Sequence, residues 1–94
     1  MQKEIFNKNL KKIIDICKEF DAEKVLLFGS CLEDPGFAND IDIAVKGINP
    51  KEFFIFYGKV SMMVENEVDI IDLDDIREHI RKRILSKGRI IYEK

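Results

Sequence analysis

Two aspartates separated by one residue, Asp40-Ile41-Asp42, and a third, Asp69, set between Val68 and Ile70, have the clearest capacity for chemistry in this chain. In an extended strand, side chains two apart leave the same face with Cα atoms roughly 6.5–7 Å apart. Asp40 and Asp42 therefore point together, and Ile41, Ile43 and Val45 take the opposite, core-facing side. Neighbouring carboxylates raise one another's pKa, a conflict that a divalent cation removes. Mg²⁺ is typically held by one or two carboxylates, with phosphate oxygens and water completing its octahedron. If the strand of Asp69 pairs with that of Asp40 and Asp42, Asp69 becomes a third ligand. On its own an Asp-x-Asp pair is as well explained by a solvated strand end. Asp72, Asp74 and Asp75 read as helix-start carboxylates that complement the macrodipole.

A second element strengthens the first. Phe28-Gly29-Ser30 ends an apolar run and opens a turn. Glycine permits close approach of backbone to a ligand, and amides in such a turn or at a following helix start form an anion-binding concavity. Ser30 adds a hydroxyl donor. Nine residues separate Ser30 from Asp40, so one loop could carry a phosphate cradle to a metal-binding strand.

Periodicity supplies the elements that must position these groups. Phe6, Leu10, Ile13, Ile14, Cys17 and Phe20 predict a helix over about 3–20, and Val25 to Phe28 a buried strand. A loop over 31–39 contains Pro35 and Gly36, with room for a helical turn at its start. Residues 41–45 alternate as a half-buried strand. Asn49-Pro50-Lys51-Glu52 is a helix start, and that helix runs to about Val64. Val68 to Leu73 is a third strand. Asp74 is read as the cap of a helix carrying Ile76, Ile80, Ile84 and Leu85, stopped at Lys87-Gly88. Arg89 to Tyr92 is a last strand. The order α-β-β-α-β-α-β predicts a small α/β (α+β) domain over 1–94, with helices packed on a mixed sheet.

Composition narrows the function classes. With 94 residues, 46% of them hydrophobic and 36% charged, the chain is globular rather than disordered. No apolar run exceeds five residues, too short to span a membrane. Sixteen basic against eighteen acidic residues leave a net charge of −2, which disfavours stand-alone binding to a nucleic-acid backbone. The first residues lack a signal-peptide core, and Cys17 and Cys31 have no metal-ligand spacing. A cytoplasmic setting with both thiols free is expected. His79 and the basic stretch Arg77, Arg81, Lys82 and Arg83 read as a solvated face with a Glu78–Lys82 pair.

On a helical wheel, Phe53, Phe56, Tyr57, Val60, Met63 and Val64 share one face, while Phe54, Ile55 and Met62 fall off it. A helix apolar nearly all round is buried on more than one side, which makes Phe54, Ile55 and Met62 a candidate partner interface. Scattered surface hydrophobes are an equal alternative.

The order strand, Gly-Ser, nine residues, Asp-x-Asp, helix, strand with Asp resembles the minimal nucleotidyltransferases of the DNA polymerase beta superfamily. The matching stretches are Leu26-Leu27-Phe28-Gly29-Ser30, Asn39-Asp40-Ile41-Asp42-Ile43-Ala44-Val45 and Glu67-Val68-Asp69-Ile70-Ile71, followed by the ending from Ile84 to Glu93. The resemblance implies two Mg²⁺ ions held by Asp40, Asp42 and Asp69. It implies ATP as donor, with its β- and γ-phosphates on Gly29 and Ser30. It also implies transfer of a nucleoside monophosphate to a hydroxyl, with Asp69 close enough to help take the proton. Many minimal members have Arg where this chain has Glu33, and a glutamate there repels phosphate. Larger relatives carry a further helical domain for the acceptor, which 94 residues leave no room for. By resemblance to MntA-like antitoxins, the acceptor is expected on a small helical HEPN (HepT-like) partner, and a homo-oligomer is also compatible. Two alternatives stay open: a non-catalytic module that neutralises a HEPN protein by binding it, and transfer to a small-molecule hydroxyl.

Overall fold

The computed structural model describes residues 2–34 and 40–94. Pro35, Gly36 and Asn39 lie outside the described residues. Apolar residues at three- and four-residue intervals coil the start of the chain into α1 (Lys3–Glu19). It stops where Asp21 takes a left-handed φ of 62° and Ala22 N–H returns to the Cys17 carbonyl, the backbone reversal that satisfies a helix's last carbonyls. Next come β1 (Lys24–Phe28), a single helical turn α2 (Ser30–Glu33) and β2 (Asp40–Lys46). The second half holds α3 (Pro50–Met63), β3 (Glu67–Asp72), α4 (Glu78–Lys87) and β4 (Arg89–Glu93). The expected order is present, with α2 as the helical turn that opens the loop. No helix among the described residues is long and apolar enough to cross a membrane.

The sheet runs β3-β2-β1-β4. β1 pairs antiparallel with both β2 and β4, and β2 pairs parallel with β3. A parallel pair needs a crossover, and α3 provides it. Alternation divides the sheet's side chains between two faces. One face sends Ile41, Ile43, Val45, Val68 and Ile70 against Ile13 and Cys17 of α1 and Phe56 and Val60 of α3. The other carries a smaller cluster in which Leu26, Ala44 and Leu73 meet Ile84 of α4. Burial pushes the Cys17 thiol up to about 12, so it serves as a small apolar core residue, as expected.

Three details differ from the periodicity. Met63 ends α3 half-exposed, and only Phe56 and Val60 of that helix are buried. Asp74 does not cap α4. Asp72 closes a local turn by accepting from Asp74 N–H at 3.0 Å, and the Asp74 carboxylate is spent on Gly47 N–H at 2.9 Å. The helix therefore begins later, at Glu78, with Arg77 in the cap position. Glu78 pairs with Arg81 at 3.1 Å rather than with Lys82. Arg81 is drawn inward because its Nε donates to the Leu73 carbonyl at 2.8 Å.

Phe56 is wholly buried, with the rings of Phe20 and Phe53 at 5.5 and 5.9 Å. Phe56→Ala is expected to destabilise the chain by about 3–5 kcal/mol, read from urea unfolding. A loss below about 1 kcal/mol would mean that the cluster can collapse around the gap.

Candidate active site

The parallel register sets Asp40 opposite Glu67, Asp42 opposite Asp69 and Ala44 opposite Ile71. Side chains on one rung of a parallel pair leave the same face, on strands about 4.8 Å apart. Asp42 and Asp69 are thus lateral neighbours, and Asp40 lies one step along the same face beside Glu67. The trio read from the sequence meets on one face. The next rung, Ala44 with Ile71, belongs to the apolar cluster under α4. The carboxylates therefore occupy the end of the face that the cluster leaves uncovered. Glu67 is a fourth carboxylate that the sequence reading did not single out. Its alternation with Asp69 was visible, but its position beside Asp40 depends on the β2–β3 register.

Crowding shows in the electrostatics. The Asp42 carboxyl is pushed above its ordinary range, first by partial burial, then by the Asp69 charge and hydrogen bond, and last by Asp40. Neutralising cationic charge would relieve that.

The Gly-Ser turn lands on this pair because Phe28, the last residue of β1, is opposite Asp42. Gly29 has φ +76°, and a β-carbon there would collide with Asp42 Oδ2 and lie 3.2 Å from its Cγ. Only glycine lets the carboxylate lie against the turn. Ser30 then opens α2, exposed beside it. Cys31 fastens turn to strand: its wholly buried Sγ donates to the Phe28 carbonyl at 3.1 Å and accepts from Asp42 N–H at 3.3 Å. Burial raises its pKa, which keeps the thiol proton available for that donation. The sequence reading left Cys31 without a role, and nothing local to it in sequence points to Asp42.

Tyr57 is a third residue missed. β3 is an edge strand, and its outward backbone groups need partners. Tyr57 Oη donates to the Val68 carbonyl at 3.2 Å and accepts from Ile70 N–H at 3.4 Å, gripping the backbone on either side of Asp69. The available signal was a hydroxyl on the core stripe of α3, since a buried Tyr O–H usually finds a partner. Asn9, buried in α1, donates to Asn66 Oδ1 at 2.8 Å, which fixes the approach to β3.

Phe54, Ile55 and Met62 are 89%, 64% and 87% exposed, on the outer side of α3. That helix covers the sheet face opposite the carboxylates. A cleft of about 640 Å³ is also there, lined in part by Pro50, Phe53, Phe54 and Tyr57. A cleft of about 370 Å³ runs from Ser61 at the end of α3 past Asn66 to Asp69. Lys24 and Lys46 sit at the far end of β1 and β2 from the turn, and Lys24 pairs with Glu93 at 3.2 Å.

Among the described residues, no group of three or more His, Cys, Asp or Glu side chains stands close enough together to hold a metal ion. The donors on the face are carboxylate oxygens alone. Such a set suits a hard cation that keeps water and takes substrate oxygens, as Mg²⁺ does, rather than one bound wholly by protein.

The family model for polymerase beta nucleotidyltransferases matches residues 11–94. Among curated proteins none matches the sequence at a significant level. Several solved structures are similar in fold. A minimal nucleotidyltransferase has TM-score 0.76 at 20% identity, with 94% of each chain covered. A MntA–HepT toxin–antitoxin complex gives 0.75 at 21% identity, over 90% of this chain and 72% of the other. A tri-AMPylated Shewanella oneidensis HEPN toxin in complex with MNT antitoxin gives 0.73 at 22% identity, over 94% and 72%.

Two outcomes test this geometry. Tyr57→Phe removes both edge hydrogen bonds and should cost about 1 kcal/mol, with faster amide exchange at Ile70 by NMR; unchanged exchange there would contradict the clamp. A carboxyl whose pKa is higher in the folded than in the unfolded chain withdraws stability as pH rises from its ordinary value through the raised one. The melting-temperature advantage of metal-free Asp42→Asn over the parent should therefore grow from acid to neutral pH. A difference independent of pH would show that Asp42 is not under this strain.

Proposed function

The chain belongs to the polymerase beta nucleotidyltransferase family, and from that premise we propose that it transfers AMP from ATP to a hydroxyl of a HEPN-type protein partner. The observation that carries this reading is the Asp42–Asp69 rung, with Asp40 beside it and the Gly29 turn against Asp42. Asp40, Asp42 and Asp69 would hold Mg²⁺. When bound, the cations neutralise phosphate charge and lower the pKa of the attacking hydroxyl.

The residues of this chain then divide the work. Gly29 and Ser30 cradle the β- and γ-phosphates, and the glycine gives the room that lets phosphate and carboxylate share one turn. The acceptor oxygen bonds to the α-phosphorus, the bond from that phosphorus to the β-phosphate bridge breaks, and pyrophosphate leaves. Asp69, on the outer strand, would help take the hydroxyl proton. Tyr57 and Cys31 act through others, one keeping Asp69 and the other keeping Asp42 in register.

The acceptor comes from a second chain. Phe54, Ile55 and Met62 form its dock, and the cleft from Ser61 to Asp69 is the route by which a hydroxyl rounds the β3 edge to the carboxylates. The AMP marks on the Shewanella toxin held by its MNT antitoxin support this choice of group and partner. A reducing cytoplasm suits the two free, buried thiols. Glu33, in the position where relatives often have Arg, favours a second reading, in which the chain neutralises a HEPN protein by occlusion without chemistry.

Label from [α-³²P]ATP should pass to a co-purified HEPN protein in the presence of Mg²⁺. Asp42→Asn should lower that transfer at least about a hundredfold while the complex still assembles. Full transfer by the variant would sink the catalytic reading. Toxin neutralisation in cells that survives Asp40→Asn would favour occlusion.

A further inference from the structure

The polyphosphate of a nucleotide donor has a charge problem on this surface. Four carboxylates share the face, and α2 adds Glu33 where a cation would be useful. Magnesium would offset the aspartates and part of the triphosphate, and Gly29 and Ser30 offer neutral donors, but the β- and γ-oxygens on the Gly29 side still lack a cationic side chain. α4 brings such side chains to the same pocket as Gly29. A pocket of about 390 Å³ opens directly at Gly29, between the turn and α4. Its less exposed lining is apolar, from Phe28, Leu32, Ile71 and Ile84, and its exposed rim combines Gly29 and Ile80 with three charged residues, Glu33 from α2 and Arg83 and Lys87 from α4.

Arg83 and Lys87 are four residues apart, one above the other on the helix face that also carries Ile80 and Ile84. Their stretch of α4 is therefore held against the sheet by the same apolar contacts that line the pocket. The basic stretch read as a uniform solvated face is divided by the fold. Arg81 is committed to the Leu73 carbonyl and Glu78, while Lys82 does not line this pocket. Among the described residues, neither Arg83 nor Lys87 enters an ion pair. Both cations thus stand at the lip of the cavity that begins at the phosphate turn.

We infer that Arg83 and Lys87 bind the donor's polyphosphate, supplying from α4 the positive charge that position 33 of α2 lacks. The inference rests on the nucleotide reading above and extends it to two residues outside the aspartate and Gly-Ser motifs. A guanidinium can grip two phosphate oxygens at once and an ammonium acts as a point charge, so Arg83 should contribute orientation as well as attraction. Glu33 then works against them, so its removal should tighten binding. The apolar lining below leaves a nucleobase as the competing occupant.

Calorimetric titration of the full chain with Mg²⁺-tripolyphosphate, Mg²⁺-ATP and adenosine separates these cases, with melting curves to confirm folding. Arg83→Gln and Lys87→Gln should each weaken tripolyphosphate and ATP about tenfold and flatten the salt dependence, with adenosine unaffected. Glu33→Gln should tighten both phosphate ligands. Tripolyphosphate binding unchanged in the Arg83→Gln, Lys87→Gln double variant would overturn the inference while leaving the nucleotide reading intact. Loss confined to adenosine would overturn it in favour of a base pocket. A parent chain that binds neither ATP nor tripolyphosphate would remove both readings together.

Discussion

Asp42 and Asp69 stand on one rung of two parallel strands, and the rest of the structure is arranged around keeping these like charges side by side. Left to themselves they would separate or one would take up a proton, and the raised pKa of Asp42 records the pressure. Three restraints oppose it. Gly29 lets Asp42 lie against backbone, the Cys31 thiol accepts the Asp42 amide, and Tyr57 grips the strand on either side of Asp69. Each comes from a different element, so the spacing is a property of the packed domain rather than of any one segment.

The stability that tolerates this strain comes from the other face of the sheet. Ile41, Ile43, Val68 and Ile70 alternate with the acidic residues along the same two strands and bury themselves under α1 and α3. Burial of apolar surface is the dominant favourable term in folding. The apolar face that folds the domain and the acidic face are thus built from consecutive residues pointing in opposite directions. Weakening either one displaces the other through the shared backbone.

Parallel pairing has a further consequence. The crossover that joins β2 to β3 must lie over one face, and α3 lies over the apolar one. Its inner side supplies Phe56, Val60 and the Tyr57 hydroxyl, and its outer side leaves Phe54 and Met62 in solvent. An exposed apolar helix face and the clamp on the Asp69 strand are therefore two sides of one element. The opposite layer is the shorter α4, which covers only part of the acidic face and brings Arg83 and Lys87 to the edge of the Gly29 turn. Acidic groups in the sheet and basic groups on the covering helix give a nearly neutral chain an internal separation of charge.

Much of this was legible beforehand. Alternation in residues 40–45 and the apolar stripe of α1 announced their elements directly, because period-two and period-3.6 patterns follow from which side meets the core. The Gly-Ser turn and the Asp-x-Asp pair were visible for the same local reason. Asp74 misled, since its capping chemistry is equally well used by a turn, and only the contact with Gly47 N–H chose between them. Glu67, Cys31 and Tyr57 were not legible as parts of the site. Their roles depend on partners 27, 11 and 11 positions away in sequence, and those contacts exist only after the strands have paired. Sequence alone determined which residues could carry charge, bury apolar surface or bend the backbone. The tertiary structure decided which carboxylates share a rung, which cation-bearing helix faces the Gly29 turn, and which side of α3 stays open. Those choices are made by strand register and layer packing, whose free energy is summed over the whole core and cannot be read from any single stretch of chain.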